Sequence, residues 1–538
     1  MRVSTLYTVI LLLGLLCYVS APVSAAPGDL DTTFNPDAGI TAAWTVATQS
    51  DGKVLVGCSF DAQSPATHGR VCRLNTDGTL DTTFFNNTGS GTDGKINTIA
   101  VQFDGKILFG GTFSVVNGVS RPGLARLNGD GTLDSTFQPV VGGPVNAIVV
   151  QPNGKIVIGG LFSHVNNQFL KGVARLKYDG SVDTSFADVG SGGCPSFFSV
   201  LALALQPDEK IIGGGLFMML NGALCKNMAR VYFNSFHDTA FDNNLGTGAT
   251  NIPNTNDRVL ALAVASGKIY VGGNFTKFNN ATRFGLARLN SNGTLDNAFA
   301  PGLAVLTVVS STPTVNALVI QSNGDILIGG SFHQIDGLQS NNLARLKIDG
   351  TLDQTFLNSG VGPNASVTAI AVQPDGKILI AGSFTQFSGV PRPGIARVLG
   401  DAGPPPSPPP TGPPVLLTEG NTTRAIAPDS VTLVRDPVPV LTSHNLSADR
   451  HTRVTLFANN VELIPGEGAV VTAQAEDSQQ RVFPLTVEFA GKVPGVDGLT
   501  QITVRLTDEL ENAGDIRVSV RVRGVQSNTV LIKVGPSP

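Results

Sequence analysis

One pattern of apolar and polar positions recurs along the first 400 residues. A copy combines an alternating segment such as VNAIVVQ (145–151), an apolar segment after a glycine turn such as DGKILFGGTF (104–113), an Ala-Arg segment such as GLARLN (123–128) and a closing segment such as LDSTF (133–137). The segments are short, many alternate with a period of two, and turn residues separate them. The pattern has no helical periodicity and therefore predicts four antiparallel strands per copy.

The segment that follows the glycine turn occurs seven times, at intervals of roughly 50 residues. The copies are DGKVLVGCSF (51–60), DGKILFGGTF (104–113), NGKIVIGGLF (153–162), DEKIIGGGLF (208–217), SGKIYVGGNF (266–275), NGDILIGGSF (323–332) and DGKILIAGSF (375–384). A single four-stranded sheet cannot bury both of its faces. Radial repetition stacks each sheet on the next, so we predict a seven-bladed β-propeller over residues 28–400.

The closing segment also occurs before the first copy, and it is missing from the last copy. It first occurs in GDLDTTFNPD (28–37), where no copy precedes it, and it is missing after Arg397, where the chain continues as VLGDAGPPP. We therefore predict that residues 30–34 supply the outermost strand of the blade at 366–398. This N-terminal strand would close the ring and remove an exposed strand edge.

An arginine precedes an aspartate by eight positions in six copies. A three-residue loop ending in Gly131 sets Arg126 opposite Asp134 and Leu127 opposite Leu133, which satisfies both faces of the hairpin. We interpret the pairs as blade architecture and not as a catalytic ring, because every blade repeats them. The predicted pairs are Arg73/Asp81, Arg126/Asp134, Arg175/Asp183, Arg230/Asp238, Arg288/Asp296 and Arg345/Asp353, with Arg397/Asp31 as a seventh pair across the chain ends.

The repeat resembles the delta-60 repeat family of bacterial exported proteins, whose repeats are similar to DGKILIGGSF … GLARLNGDGTLDSTF. The resemblance covers roughly residues 28–400 of this chain. It implies a propeller-like fold, and it implies no particular activity.

The N-terminus has the pattern of a secretory signal peptide over residues 1–25. Arg2 supplies a positive charge, residues 8–19 are apolar, and VSA (23–25) places small residues before Ala26. No later run of about 20 apolar residues suggests a transmembrane segment. We therefore expect a protein secreted to the periplasm or the cell exterior.

Four cysteines follow the predicted signal peptide: Cys58, Cys72, Cys194 and Cys225. Export favours disulfides, and four cysteines allow three pairings. Blades one and four lie too far apart for a bond between them. We expect the bonds Cys58–Cys72 and Cys194–Cys225, and the alternative is buried free thiols.

The chain offers little catalytic or cofactor chemistry. Its histidines are scattered, no cysteine pair has metal-ligand spacing, and no two acids can be nominated as a glycosidase pair. With 36 basic and 40 acidic residues, a nucleic acid is not an expected partner. We predict no catalytic, cofactor-binding or metal-binding residues.

The last third of the chain has a different composition. DAGPPPSPPPTGPP (401–414) is typical of an extended linker. Residues 415–538 contain six or seven alternating segments, which favours an immunoglobulin-like β-sandwich. The stretch GLTQITVRL…AGDIRVSVRVRGVQSNTVLIKV resembles C-terminal β-sandwich modules of exported acidobacterial proteins, which implies a role in attachment or display.

The favoured hypothesis is a monomeric, non-enzymatic binding or adhesion protein whose partner is an extracellular protein or a glycan. An enzyme acting on extracellular polysaccharide and a structural component of the envelope are the alternatives, because fold alone does not separate them. Variable loops on a rigid scaffold are common binding sites. We place the ligand site on the loops 187–198, 242–257 and 300–313, and the alternative is that these loops merely drift in length.

Overall fold

The computed structural model describes most of the repeat region and most of the C-terminal region. The described residues are 26–36, 39–60, 70–102, 104–151, 154–186, 199–216, 219–220, 223–224, 227–232, 237–250, 257–304, 312–357, 361–401, 415–416, 453–459, 461, 471–492, 499–510, 513–522 and 525–534. Within these ranges the helices are Thr82–Asn87 and Thr239–Asn244, with a 3-10 turn at Asp508–Leu510. None of the helices in these ranges has the length and apolarity needed to cross a membrane.

Seven three-stranded antiparallel units, called repeats 1 to 7, follow one another along residues 40–398. In each repeat the second strand pairs with both the first and the third. The first strands are Ile40–Thr48, Ile96–Val101, Val145–Val150, Ser199–Leu205, Arg258–Ala265, Thr314–Ile320 and Val367–Val372. The second strands are Val54–Phe60, Ile107–Gly111, Ile156–Gly160, Ile211–Leu216, Lys268–Asn274, Ile326–Ser331 and Ile378–Gly382. The third strands are Arg70–Leu74, Leu124–Leu127, Val173–Leu176, Met228–Val231, Leu286–Asn290, Leu343–Leu346 and Ile395–Val398.

The predicted fourth strand is shorter than the sequence pattern indicated. It forms one antiparallel bridge with the third strand, as between Leu127 and Leu133, and this bridge has the predicted register. The loop ends at Gly131, whose φ of +96° lies in the left-handed region that favours glycine. Asp134, which follows the bridge residue Leu133, accepts hydrogen bonds from the backbone N–H and the hydroxyl of Thr136. This aspartate turn bends the chain away after a single pair.

The repeats pack through their first strands. Each first strand contacts the first strand of the next repeat in chain order, and that of repeat 7 contacts that of repeat 1. Glycines in the second strands make this packing close: a Cβ on Gly110 would lie 2.6 Å from Val145 Cγ1 of the next repeat. The first glycine of each pair therefore serves sheet stacking, since a side chain there would collide with the neighbouring repeat. A Cβ on the second glycine would instead collide with its own repeat, as Gly111 with the carbonyl of Lys95.

Residues 28–34 lie beside the third strand of repeat 7. Leu30 bridges to Val398, and the backbone N–H of Asp31 donates to the carbonyl of Arg397 at 2.9 Å. Phe34 is fully buried in an apolar cluster that also contains residues of repeats 1 and 7. These contacts join segments that are more than 360 residues apart along the chain.

Two kinds of loop emerge at the same end of the repeats, called the crossover end. One is the small hairpin between the second and third strands, and the other is the segment that crosses to the next repeat. They pair with each other, as at Val141–Val165 and Ala249–Phe278. The hairpin strands are Val115–Val116, Val119–Ser120, His164–Val165, Gln168–Phe169, Met219–Leu220, Ala223–Leu224, Lys277–Phe278, Ala281–Thr282, Gln334–Ile335, Leu338–Gln339, Gln386–Phe387 and Val390–Pro391, and the crossover strands are Ala249–Thr250 and Leu303–Ala304.

The C-terminal region encloses one apolar core between two groups of strands. The 11-residue strand Val482–Lys492 belongs to both groups. Its first part, up to Leu485, pairs with Val471–Glu476. Its second part, from Thr486 onward, pairs with Leu499–Arg505 and contains a bulge at Val487–Phe489. The other strands are Val415–Leu416, Arg453–Asn459, Gly514–Val522, Val525–Gln526 and Val530–Val534.

Removal of residues 26–36 from the mature chain is expected to lower the thermal unfolding midpoint by about 5 °C or more, because it uncovers the edge of repeat 7 and deletes buried Phe34. Differential scanning calorimetry measures this shift. A variant in which residues 28–36 are moved to follow Asp401 directly, which restores the eight-residue spacing between Arg397 and the aspartate, serves as the matched control and should regain most of the lost stability. An unchanged midpoint after the deletion would contradict a structural role for the segment.

Candidate functional site

Each repeat contains an arginine on its third strand that contacts the aspartate after the fourth-strand bridge. In repeat 2, Arg126 Nε lies 2.8 Å from Asp134 Oδ2. We call the seven arginines the arginine belt, and the belt pairs are Arg73–Asp81, Arg126–Asp134, Arg175–Asp183, Arg230–Asp238, Arg288–Asp296, Arg345–Asp353 and Arg397–Asp31, at 2.6 to 2.9 Å. All of the belt arginines except Arg73 are buried.

The flat face of each belt guanidinium lies on a phenylalanine ring of its own repeat. The distances from Cζ to the ring centroid run from 4.2 to 4.9 Å, within the range of a cation–π contact. The rings belong to Phe84, Phe137, Phe186, Phe241, Phe299, Phe356 and Phe34, in the order of the arginines. The phenylalanine that ends the closing segment of the repeat thus packs against the arginine.

The belt also connects neighbouring repeats. Arg73 Nη1 donates to the carbonyl of Gly129 in repeat 2 at 2.7 Å, and Arg126 Nη1 donates to that of Tyr178 in repeat 3 at 2.7 Å. Arg230 and Arg288 make the corresponding bonds to Ser291 and Ile348. Arg397 of repeat 7 donates to Thr76 of repeat 1 at 2.6 Å. The belt thus stabilises both the interior of each repeat and the junctions between repeats.

Lysines at the start of the second strands form a further ion pair with most of the belt aspartates. Lys106 Nζ lies 2.9 Å from Asp134 Oδ2, and the equivalent lysines pair in the same way in repeats 1, 3, 5 and 7. Lys210 of repeat 4 pairs with Asp208 instead, and repeat 6 has Asp325 at this position. Because arginine, lysine and turn N–H groups occupy the belt carboxylates, these groups are architectural.

The belt aspartates have lowered pKa values in the folded protein. Burial alone would raise the pKa of Asp81, but hydrogen bonds from Lys53, the backbone N–H of Phe84 and Arg73 outweigh it and lower the pKa to about 2. The same kinds of contact hold the pKa values of Asp134 and Asp183 well below their usual range. The belt carboxylates therefore stay ionised at neutral pH and cannot act as general acids there.

Cys58 and Cys72 form a disulfide between the second and third strands of repeat 1, with a Cα–Cα distance of 6.5 Å. The prediction for this pair is confirmed. Cys194 and Cys225 lie outside the described residues. Within the described ranges, no three His, Cys, Asp or Glu side chains form a group able to hold a metal ion.

A second set of side chains lies at the crossover end of the first strands. Near the start of each first strand a β-bulge sets two residues opposite one, as at Ile96 and Thr98 in repeat 2. The residue inside the bulge differs between repeats. We call these seven residues the collar: Trp44, Asn97, Asn146, Leu201, Leu260, Asn316 and Thr368.

Several collar side chains reach the next repeat. Asn97 Nδ2 donates to Asn146 Oδ1 at 2.9 Å, and Asn146 Nδ2 donates to the carbonyl of Val200 at 3.1 Å. Asn316 Nδ2 makes the equivalent bond to Val367 at 3.0 Å. Since the first strands of adjacent repeats contact each other, the collar side chains lie where the free edges of these strands meet.

Trp44 and Lys95 distinguish the repeat 1 part of the collar. Trp44 is the only tryptophan of the chain and is half-exposed. Lys95, which precedes buried Ile96 of repeat 2, holds its Nζ 5.3 Å from the centroid of the Trp44 ring system. Burial by the surrounding protein lowers the pKa of Lys95, although much of its side chain is exposed.

The collar was missed in the sequence reading because no single motif marks it. The signal that can find it is positional: the collar residue follows a buried apolar residue of each first strand, as Asn97 follows Ile96. At this position one repeat has tryptophan, three have asparagine, two have leucine and one has threonine. Such variation at one register position of a repeat is typical of a residue that does not serve the common architecture.

The loops predicted to bind a ligand are described only in part. All of 187–198 and the segments 251–256 and 305–311 lie outside the described residues. Within 242–250 the chain completes the helix Thr239–Asn244 and pairs Ala249–Thr250 with a hairpin, and Leu303–Ala304 pairs with the hairpin of repeat 6. A cavity of about 300 Å³ lies on repeat 6 between its hairpin at Leu338–Gln339 and the segment that ends at Leu357.

The repeats match one known family. Residues 49–84, 102–137, 151–186, 265–299, 321–356 and 373–401 match the model described as "Domain of unknown function (DUF5122) beta-propeller". These six matches support a family of β-propeller repeats, in agreement with the all-β fold. No curated protein and no solved structure matches the chain.

Repeat 4 has no segment among the family matches, and its geometry departs from the others. Its bridge residue is His237 where the other repeats have leucine or valine. His237 Nε2 contacts the carboxylate of Asp242, and both side chains are buried. The Asp-Gly turn of the other repeats is also missing, since the segment reads YFNSFHD (232–238).

The substitution Asp81→Asn is expected to flatten the acid sensitivity of the propeller region. The folded pKa of Asp81 is about 2 and its ordinary value is 3.8, so its ionised form stabilises the fold above pH 3.8. This contribution, about 1 to 2 kcal/mol, is lost as the pH falls through 2. Urea unfolding from pH 6 to pH 2 measures the effect, and Asp51→Asn in an exposed turn is the control. Parallel pH curves for the wild type and Asp81→Asn would contradict the expectation.

Loss of the Cys58–Cys72 bond is expected to lower the free energy of unfolding by about 3 kcal/mol, as for a loop of about 15 residues. The variant Cys194→Ala/Cys225→Ala keeps only this pair in the mature chain, so its response to dithiothreitol in urea unfolding reports the bond. The variant Cys58→Ala/Cys72→Ala with the other cysteines intact is the control. If reductant leaves the stability of the first variant unchanged, the bond contributes nothing in solution.

Proposed function

We propose that the chain is an exported, non-enzymatic binding or adhesion protein. In this proposal residues 28–400 form a seven-bladed β-propeller closed by the N-terminal strand, and residues 415–538 form an immunoglobulin-like sandwich that spaces or attaches the propeller. The partner is an extracellular protein or a glycan, bound at the crossover end. The Cys58–Cys72 disulfide and the signal-peptide pattern support export, because disulfides are typical of exported proteins.

The observation that carries the proposal is the separation of repeated from non-repeated side chains. The repeated charged groups of the arginine belt bind one another and the next repeat. The non-repeated groups Trp44 and Lys95 lie at the crossover end of the strands, as do the described crossover segments Ala249–Thr250 and Leu303–Ala304. A rigid scaffold whose variation is concentrated at one end is typical of a binding surface.

The geometry gives an enzyme less support. Hydrolysis of a glycosidic bond needs two carboxyl groups about 5 to 10 Å apart around the scissile bond. The described collar residues include no carboxylate, and the belt carboxylates are neutralised by arginine and lysine. Binding without turnover therefore fits the described residues better than catalysis does.

A glycan array probed with the purified mature protein, combined with a sugar-release assay on the bound glycans, tests the proposal. Binding without release is the expected result, and release would instead favour the polysaccharide-acting enzyme. Silence in both assays, together with no protein captured from the exterior of the source cells, would favour a structural envelope component. Replacement of the loops 187–198 and 242–257 by short Gly-Ser segments then tests their role. If the ligand still binds after both replacements, the binding site lies elsewhere.

A further inference from the structure

We propose that Trp44, Lys95 and Asn97 form a saccharide subsite that selects a sugar carrying a negative charge, such as a uronate or a sulfated residue. The inference rests on the proposed binding function and names its ligand class. It is carried by Trp44 and Lys95, which meet at the junction of repeats 1 and 2, and by Asn97, the next collar residue, which lies two positions after Lys95 and donates to Asn146 of repeat 3.

Trp44 supplies the apolar surface. A pyranose ring has one or two faces made of C–H groups and a rim of hydroxyl groups, so it packs on an indole while the rim stays hydrated. Trp44 stands inside a β-bulge of a first strand, which fixes its backbone between paired residues on both sides. An indole that is half-exposed on a rigid strand retains apolar area that a ligand can cover without paying for loop ordering.

Lys95 supplies the charge preference. Most described lysines at the start of the second strands, such as Lys53 and Lys106, bind an aspartate of the belt, and Lys210 binds Asp208. Lys95 makes no such ion pair with any carboxylate of the described residues, and Trp44 is its only charge-stabilising contact there. Nearby Asp93 accepts the backbone N–H groups of Ser114 and Val115, which directs its carboxylate toward the hairpin. An anionic group on a sugar stacked on Trp44 would meet this ammonium, which pairs with none of the described carboxylates.

Asn97 supplies hydroxyl recognition. Its Nδ2 donates to Asn146 Oδ1 at 2.9 Å, and this bond fixes the amide plane. Its Oδ1 accepts no hydrogen bond from the described residues, so it is available to a sugar hydroxyl. Asn316 occupies the same bulge position in repeat 6, but no tryptophan or lysine contact is found beside it among the described residues.

The single tryptophan makes the subsite directly observable. The mature protein is titrated with a panel of uronate-containing, sialylated and sulfated oligosaccharides, each paired with its neutral counterpart (methyl ester or desulfated form), while Trp44 emission and iodide quenching are recorded. We expect at least one acidic member to shift the emission and to protect Trp44 from iodide. Its neutral counterpart should bind about 10-fold more weakly, and binding should weaken at 0.5 M salt.

Variants assign the three roles by calorimetric titration with the same ligand. We expect Trp44→Ala and Lys95→Met each to raise Kd about 10-fold or more, and Trp44→Phe to change it about 3-fold or less. Lys95→Met should also remove the preference for the acidic form, which a merely structural role would not do. Asn97→Ala should weaken binding, and its matched control Asn316→Ala should not. Unfolding midpoints of all variants show which of them remain folded.

Three outcomes would overturn the subsite. In the first, array ligands bind but leave Trp44 emission and iodide access unchanged, which rejects the subsite and retains the proposed binding function. In the second, acidic and neutral partners bind Trp44 equally, which rejects the charge preference. In the third, no saccharide of the panel or the array binds, which rejects the subsite and limits the proposed function to protein partners.

Discussion

A buried guanidinium must find an anion, acceptors for its N–H groups and an apolar surface for its face, because leaving a buried charge unpaired costs several kcal/mol. In this protein the belt arginines obtain the anion and the aromatic surface from their own repeat. For most of them the last acceptor is a carbonyl of the next repeat. A repeat therefore cannot satisfy its own arginine, and the stability of each repeat depends on the presence of its neighbour.

The packing of each repeat on its neighbour also explains which strand positions are constant between repeats and which vary. The second strand is buried over its whole length in repeats 2, 3 and 7, and most second strands carry a glycine that admits a valine from the next sheet. A larger residue cannot replace such a glycine without a clash, since a Cβ at Gly159 would lie 2.7 Å from Val200 Cγ1. The bulge at the start of the first strand has no such constraint. Variation therefore collects at the bulge and in the loops beside it.

Features that recur in every repeat could be predicted from the sequence, because comparison of the seven copies shows which residues they share. The register that sets Leu127 opposite Leu133 follows from the position of Gly131, and the Cys58–Cys72 bond follows from their neighbouring strands. The shortened fourth strand was not predicted, because the alternating pattern does not show that Asp134 folds back on Thr136. The contact between Trp44 and Lys95 was also not predictable, because it joins two repeats at positions whose residues are not shared by all the repeats.

The bond between Asp31 and Arg397 spans 366 positions, so it is among the most non-local contacts of the fold. The entropy of closing so long a loop grows only slowly with its length, but the contact forms only when all the intervening sheets have stacked. Synthesis from the N-terminus delivers Leu30 long before its partner Val398 exists. During that interval the first sheet and the most recently formed sheet both present unpaired apolar surface, which makes the half-built molecule prone to aggregation. Completion is thus a late, nearly all-or-none event, and folding speed is expected to be governed by contact order and not by the strength of any single sheet.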